Sequence, residues 1–234
     1  MNKLLVTISL VLFTTFSFAQ TITYGIKAGA NLSTLGFSGP TTALGLSGPS
    51  TDLAINSQNK TGYQIGATVD IGFEHFSIQP GLFYITKGEK FVEQYSIRGQ
   101  NNQYTNTHVT GTTRYNYLQL PVNFLYKLQV SPMVKIYAGG GPYIAYGING
   151  TTTGHSTGPS FPGDYTNPVS FGSGYYSTQN RRIDYGINFV EGVEINKHYT
   201  IDLNYSLGIK NISSQVSDVA SRNRTLALSV GYNF

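Results

Sequence analysis

The residues of this sequence with the clearest chemical potential are charged side chains that occur singly among apolar neighbours. Lys27, Asp70, Asp184, Asp202 and Lys210 each occupy a polar position in a segment where polar and apolar residues alternate. Opposite charges held in a narrow space can select ions, or they can neutralise one another in a structural plug. We expect Lys27–Asp70 and Asp184–Lys210 pairs, with Asp202 extending the first pair.

Catalysis has little support in the sequence. The four histidines fall between the alternating segments, and no zinc-protease, nucleophile-elbow or acidic metal-loop motif is present. The absence of Cys removes thiol nucleophiles and thiolate metal sites. We therefore predict no enzymatic activity, no metal site and no cofactor. A membrane-embedded enzyme acting on lipid or protein is the weakest alternative.

The composition favours a β-sheet protein with few charges. Charged residues make up 11% of the 234 residues, whereas an average soluble domain carries about 25%. Gly and Tyr are abundant, with 27 and 18 residues, which favours turns and strands. The formal net charge is only +4 and the basic residues are scattered, so nucleic acid is not an expected partner.

The first residues have the layout of an export signal. Lys3 precedes an apolar run at 4–13, and small residues precede a cleavage position after Ala19. The run is shorter than the roughly 20 apolar residues that a membrane-spanning helix needs. We predict a signal peptide at 1–19 and one outer-membrane β-barrel domain at 20–234.

Downstream of the signal, strict alternation of apolar and polar residues recurs in eight segments. These are residues 23–33, 62–73, 76–87, 114–127, 134–146, 183–195, 199–210 and 224–234. A period of two indicates strands, and strands of about 11 residues can cross a bilayer at a tilt of about 45°.

The connections between the segments alternate between short and long. The long ones, at 34–61, 88–113, 147–182 and 211–223, are rich in Gly, Ser, Thr, Asn and Pro. Outer-membrane barrels have short periplasmic turns and longer extracellular loops. The sequence therefore predicts an all-β fold, an eight-stranded antiparallel up-and-down transmembrane β-barrel.

The apolar face of each segment needs a cover, and no amphipathic helix in the sequence supplies one. A soluble eight-stranded barrel such as a lipocalin would turn its apolar residues inward. We expect instead that Ile26, Val69 and Leu203 face lipid and that the charged residues form a polar network in the barrel interior. Eight strands enclose a space just wide enough for side chains, which favours a plug over an ion filter.

Glu191 departs from this scheme, because simple alternation turns it towards lipid. A lipid-facing acid is unfavourable by up to a few kcal/mol, depending on its depth. We predict a β-bulge near residues 190–192 that rotates the side chain inward.

Several segments match a known family. They are Tyr24-Gly-Ile-Lys-Ala-Gly-Ala-Asn-Leu-Ser, Ser77-Ile-Gln-Pro-Gly-Leu-Phe-Tyr, Leu118-Gln-Leu-Pro-Val, Tyr137-Ala-Gly-Gly-Gly-Pro-Tyr, Ile201-Asp-Leu-Asn-Tyr-Ser-Leu-Gly-Ile and Leu228-Ser-Val-Gly-Tyr-Asn-Phe. The chain resembles the outer-membrane β-barrel proteins of Bacteroidetes, called PorT-like or porin-family β-barrel proteins, and is similar in architecture to OmpX-type and OmpA-type barrels. The resemblance implies an outer-membrane location and Phe234 as a terminal insertion signal. The family name also suggests a place in a secretion apparatus.

The longest connection has the aromatic and basic composition of a binding surface. The residues concerned are Phe161, Tyr165, Tyr175, Tyr176, Arg181 and Arg182. The same composition also suits a hydrated outer loop whose tyrosines fold back over the barrel rim.

These observations predict a monomeric integral outer-membrane protein with a side-chain-filled interior. We expect a structural, adhesive or partner-binding role. Its expected partners are outer-membrane lipids, the barrel-insertion machinery and an unidentified envelope or surface protein. A narrow porin-like channel for small solutes is the main alternative.

Overall fold

The structure of the protein is a computed structural model that describes residues 21–38, 51–98, 104–157, 162–172, 180–213 and 220–234. The predicted signal peptide lies outside these residues. The described residues form ten strands. They are β1 (Thr21–Ser38), β2 (Thr51–Gln58), β3 (Lys60–Phe73), β4 (Phe76–Arg98), β5 (Tyr104–Ser131), β6 (Val134–Ser156), β7 (Gly163–Pro168), β8 (Ile183–Ile195), β9 (Tyr199–Gly208) and β10 (Ala220–Asn233).

Eight of the strands close into a barrel in the order β1-β3-β4-β5-β6-β8-β9-β10, and β10 pairs with β1. All of these pairings are antiparallel. The closure confirms the predicted eight-stranded barrel. Each barrel strand has two hydrogen-bonded neighbours, so no backbone edge has to face hydrocarbon. Among the described residues, no helix has the length and apolar character needed to cross a membrane.

The apolar side chains face outward, as the sequence predicted. Ile26 and Leu203 expose 54% and 39% of their surfaces, whereas Lys27 and Asp202 expose 6% and 2%. On β8, exposed and buried side chains alternate strictly from Ile183 to Glu191. Soluble monomers rarely expose contiguous apolar surface on this scale. The outer face of the barrel is therefore a lipid-facing surface, which excludes the lipocalin arrangement.

The predicted loops at 88–113 and 147–182 contain long stretches of strand, which corrects the sequence-based boundaries. β4, β5 and β6 continue beyond the barrel, where β2 and β7 join them in the order β2-β4-β5-β6-β7. We call this part the projecting sheet; it comprises β2, β7 and the segments 88–98, 104–114 and 149–156. These segments have left the lipid and need no apolar outer face, and their many β-branched Thr residues favour strands.

The opposite end of the barrel has short turns where the sequence predicted them. Glu74, Asn196 and Lys197 adopt positive φ angles of 29°, 53° and 65° there, in or near the left-handed conformation that tight turns often use. The chain ends on the same side, where the N–H of Phe234 donates a hydrogen bond of 2.8 Å to the carbonyl of Tyr24.

The β-bulge predicted at 190–192 is wrong. The pairings of β8 with β6 and β9 continue without a shift through Glu191, which lies opposite Ala138 and Leu203. Its side chain is exposed on the outer face. Because Glu191 is near the turn end of β8, its carboxylate can extend towards the polar boundary of the membrane. A register shift occurs instead between β5 and β6 at Asn116–Tyr117.

Candidate functional site

The barrel interior holds its charges at three levels, the first of them beside the short turns. Lys127 Nζ lies 2.8 Å from Asp70 Oδ1 and 4.0 Å from Glu194 Oε2. Lys135 Nζ lies 3.4 Å from Glu194 Oε1. Gln79 donates a hydrogen bond of 3.0 Å to the second oxygen of Asp70. These groups neutralise one another at the periplasmic mouth.

The second level is the pair formed by Lys27 and Asp202, whose Nζ and Oδ2 atoms are 2.7 Å apart. The hydroxyl of Tyr137 donates to the other oxygen of Asp202, and Lys27 Nζ lies 5.8 Å from the centroid of the Tyr137 ring. Lys27 is opposite Gly231 on β10, where a Cβ would stand 2.8 Å from Lys27 Cγ. The missing side chain at Gly231 therefore lets Lys27 cross β10 to reach β9.

Amides and hydroxyls connect the strands around and above this pair. Asn188 donates to Asn123 (3.0 Å) and accepts from Ser206 (2.7 Å). Gln64 donates to Ser229 (2.8 Å) on the other side of the interior. The cavity among the surrounding side chains has a volume of only about 20 Å³, which is room for about one water molecule.

The third level is the most deeply buried pair of the protein's described residues. Lys87 Nζ lies 3.2 Å from Asp184 Oδ2, and neither side chain is exposed. Asn223 donates a hydrogen bond of 2.9 Å to the same oxygen. The ammonium group of Lys87 is 4.7 Å from the ring centroid of Tyr143 and 5.3 Å from that of Tyr117. These contacts compensate the cost of removing both charges from water.

An apolar cluster closes the interior above the Lys87–Asp184 pair. Its buried members are Leu35, Ile85, Tyr115, Tyr117, Tyr143, Ala145 and Ile212, and Val169 and Phe171 pack against them. The last two residues come from the 147–182 connection, so part of that connection folds inward as a cap. The interior is thus blocked by ion pairs, by amides and by apolar side chains in succession.

The structure places four of the five predicted interior charges inside the barrel, but both predicted pairings are wrong. Lys27 pairs with Asp202, and Asp70 pairs with Lys127. In register Lys27 is opposite Gly66, whereas Asp70 is opposite Thr23, so Asp70 lies closer to the turn end than Lys27 does. The prediction compared positions along each strand and missed this offset.

Lys210 is not part of the interior network. It follows the end of β9, and its Nζ lies 5.5 Å from the ring centroid of Tyr185, a residue of the outer face. The cation of Asp184 is instead Lys87. Sequence reasoning missed Lys87, Lys127, Lys135 and Glu194, although alternation places Lys87 and Lys127 on the polar faces of their segments.

The predicted loop surface is only partly within the described residues. Phe161, Tyr175 and Tyr176 lie outside them. Tyr165 is on β7 beside Gly154, while Arg181 donates a hydrogen bond of 3.4 Å to the Asn211 carbonyl. Arg182 lies 5.1 Å and 5.4 Å from the ring centroids of Phe171 and Tyr146. The two arginines bind the rim of the barrel itself.

An acidic pair that the sequence analysis missed lies on the inner face of the projecting sheet. Burial raises the pKa of Glu89 to about 7; the neighbouring Glu93 raises it further, and a hydrogen bond from the Ser57 hydroxyl opposes the shift. Burial also raises the pKa of Glu93.

Comparison with known proteins gives a family and a set of similar folds. A family model described as "Outer membrane protein beta-barrel domain" matches residues 18–214. No curated protein matches the chain significantly.

Three solved structures are similar to the chain. Ail, the attachment invasion locus protein of Yersinia pestis, in complex with the heparin analogue sucrose octasulfate, is 12% identical with a TM-score of 0.41, covering 91% of this chain and 99% of that one. Neisserial surface protein A is 12% identical with a TM-score of 0.38, and the match covers 90% of this chain and 97% of that one. OprG from Pseudomonas aeruginosa is 13% identical with a TM-score of 0.37, and the match covers 92% of this chain and 97% of that one. None of these similarities identifies a function.

Replacing Asp184 by Asn is expected to destabilise the barrel by about 3–5 kcal/mol, because Lys87 then stays buried without a counter-charge. The double change Lys87→Met with Asp184→Asn should recover most of this loss. The measurement is the free energy of unfolding in urea, with the protein folded in detergent micelles. Lys210→Gln, a control outside the interior, should change it by less than about 0.5 kcal/mol. A loss no larger than that of the control would contradict the assigned pair.

The raised pKa of Glu89 predicts that the projecting sheet is more stable in acid. With a folded pKa of about 7 against 4.5 unfolded, the folded state binds more protons between these values, so the contribution is complete below about pH 4.5 and is lost as the pH rises through about 7. Amide hydrogen exchange of residues 88–114, corrected for intrinsic rates, should show this. Glu89→Gln should flatten the profile. A wild-type profile as flat as that of Glu89→Gln would rule the effect out.

Proposed function

Because the chain belongs to the outer membrane protein β-barrel domain family, we propose that it is a non-conducting barrel whose projecting sheet binds a protein partner at the cell surface. The filled interior is the observation that carries the first half of this proposal. The position of β2 and β7 as the outer strands of the projecting sheet supports the second half.

A solute path would have to pass all three charged levels and the apolar cap. The cavity among the central side chains has a volume of about 20 Å³, which is room for about one water molecule. A narrow channel is the alternative, and it requires the Lys87–Asp184 pair to separate. Both side chains are fully buried, and separation would leave two uncompensated charges. The geometry therefore favours a plug.

The projecting sheet has outer strands with one hydrogen-bonded neighbour each, whereas every barrel strand has at least two. Among the described strands, β2 pairs only with β4, and β7 pairs only with β6. Each of these strands therefore has one edge without a partner among the described strands, to which an extended segment of another protein can add as a further strand. An adhesive or partner-binding role uses this part of the molecule.

The remaining parts of the proposal rest on the sequence. They are a monomeric barrel, a cleaved signal peptide at 1–19, insertion by the barrel-insertion machinery through Phe234, and no enzymatic activity. A closer relationship to the PorT-like proteins of Bacteroidetes, with or without a place in a secretion apparatus, rests on the matching segments described above.

Purified protein in planar bilayers is expected to give no stable conductance, because the interior lacks a continuous water path. The double variant Lys87→Ser with Asp184→Ser removes the most buried ion pair and serves as the comparison. It should show brief conductance events more often than the wild-type protein does. Large, long-lived conductance steps from the wild-type protein would contradict the plug and favour the porin-like alternative.

Replacing residues 91–111 by Asn-Gly should remove the β4 and β5 parts of the projecting sheet, together with the pairing that holds β2, and spare the barrel. Lys90 and Thr112 pair in register, so a two-residue turn can join them. On intact cells, the deletion variant should no longer cross-link to the partner that the wild-type protein binds. Its barrel should remain as resistant to protease in the membrane as the wild-type barrel. Lys197→Gln, at the periplasmic end, is the control. An unchanged cross-linking pattern would show that β2 and the deleted parts of β4 and β5 are not the binding surface.

A further inference from the structure

Three cations, the exposed Lys90 and Arg114 and the half-buried Lys60, lie close together where the barrel passes into the projecting sheet. Lys90 of β4 pairs in register with Thr112, and Arg114 of β5 pairs with Gly88. The two exposed side chains are therefore diagonal neighbours on one outward face. Lys60 begins β3 two residues after Gln58, which pairs with Lys90, and its Nζ donates a hydrogen bond of 2.9 Å to the carbonyl of the exposed Thr61. Burial lowers the pKa of Lys60, and the charges of Arg114 and Lys90 lower it further. The three cations thus form one cluster.

The charge of this cluster is not balanced by nearby acids. Among the ion pairs of the described residues, none includes Lys60, Lys90 or Arg114. Asp164, on the projecting sheet, lies two strands beyond β5 and contacts His155 at 2.7 Å. The chain segments outside the described residues contain a single acid, Asp218. The cluster therefore carries positive charge that is available to an anion from outside the chain.

The cluster lies at the boundary between lipid and water. The rings of Tyr63 and Tyr84 form a pair with centroids 6.0 Å apart, and Tyr84 pairs in register with Leu118, four residues along β5 from Arg114. Leu82 and Leu118, on the same side of the barrel, expose 48% and 42% of their surfaces. Tyrosines mark the interfacial level of outer-membrane barrels, and exposed leucines mark the hydrocarbon level.

Two further cations lie at this level, the half-buried Arg182 at the rim and Lys210 on the outer face. Arg182 lies 5.4 Å from the ring centroid of Tyr146, and Lys210 lies 5.5 Å from that of Tyr185. At the periplasmic end, by contrast, Lys127 and Lys135 are turned inward and paired with acids. The positive charge available to a ligand is therefore concentrated at the loop end, which faces the outer leaflet.

We propose that Lys60, Lys90 and Arg114 bind the phosphate group of a glycolipid in the outer leaflet of the outer membrane. The guanidinium group can bind two phosphate oxygens, and the two ammonium groups add further charge and donors. The acyl chains of the same molecule lie along the exposed leucines, and its sugar contacts the exposed ring of Tyr63. A free anion would contact the cations alone, whereas a phosphorylated glycolipid contacts the cations, the ring of Tyr63 and the exposed leucines.

The test uses the full-length mature protein in two kinds of vesicle. One contains phosphatidylcholine with a lipopolysaccharide that carries phosphorylated lipid A, and the other contains the same lipids after enzymatic dephosphorylation. The measurement is the amount of glycolipid that remains bound after extraction in mild detergent. We expect the wild-type protein to retain the phosphorylated form preferentially.

Two variants assign the binding to the cluster. Lys90→Gln and Arg114→Gln should each weaken retention about fivefold, the effect expected for one cation near an anionic lipid surface. Lys197→Gln removes an exposed cation at the opposite end and should leave retention unchanged. The wild-type comparison between the two vesicles needs no variant, so it decides the proposal even if a variant fails to fold.

Equal retention of the phosphorylated and dephosphorylated glycolipids would overturn the proposal. So would full retention by both cluster variants. Inorganic phosphate, added to the protein in vesicles of phosphatidylcholine alone, provides the third arm. If it raises the thermal unfolding midpoint as much as the glycolipid does, the ligand is a soluble anion and the lipid assignment is wrong.

Discussion

The constraint on which the structure depends is that hydrocarbon offers no partner for a backbone N–H or C=O group. A sheet can meet it only by closing, and the pairing of β1 with β10 supplies that closure. Closure fixes the directions of the side chains in turn. The face that meets lipid must be apolar, so the other face of each strand collects the polar residues in a space that eight strands make narrow.

The composition of the interior follows from this arrangement, in which polar residues face inward and apolar residues face outward, the reverse of a soluble protein. Charges such as Lys87 and Asp184 are confined where water cannot reach them, and each must find its partner within the barrel. The same requirement operates across strands that are not neighbours, as Lys27 shows by passing over Gly231 to reach Asp202. At the levels of the charged residues, the pairing of polar groups, rather than the burial of apolar area, determines the packing.

The fold could be predicted because alternation with a period of two is a local signal that lipid enforces on every strand. The eight segments and the short turns follow from it directly. The ion pairs could not be predicted, since the partners of Lys27 and Asp184 depend on the stagger between strands, which no single segment encodes. The projecting sheet also escaped prediction: beyond the lipid its outward residues, such as Thr110 and Thr112, are polar and resemble a loop.

The register shift between β5 and β6 has a consequence for the orientation of β6. Asn116 is opposite Asn149, and Tyr117 is opposite Gly147, so Ile148 is an extra residue in β6. Below it the odd-numbered residues Tyr143 and Ala145 are buried, and above it the even-numbered Gly150 and Ser156 are buried. Ile148 is thus the point in β6 at which the inward-facing positions change from odd-numbered to even-numbered residues. Its deletion would turn the upper part of β6 over, so that Thr153 and His155 would exchange faces with Gly154 and Ser156.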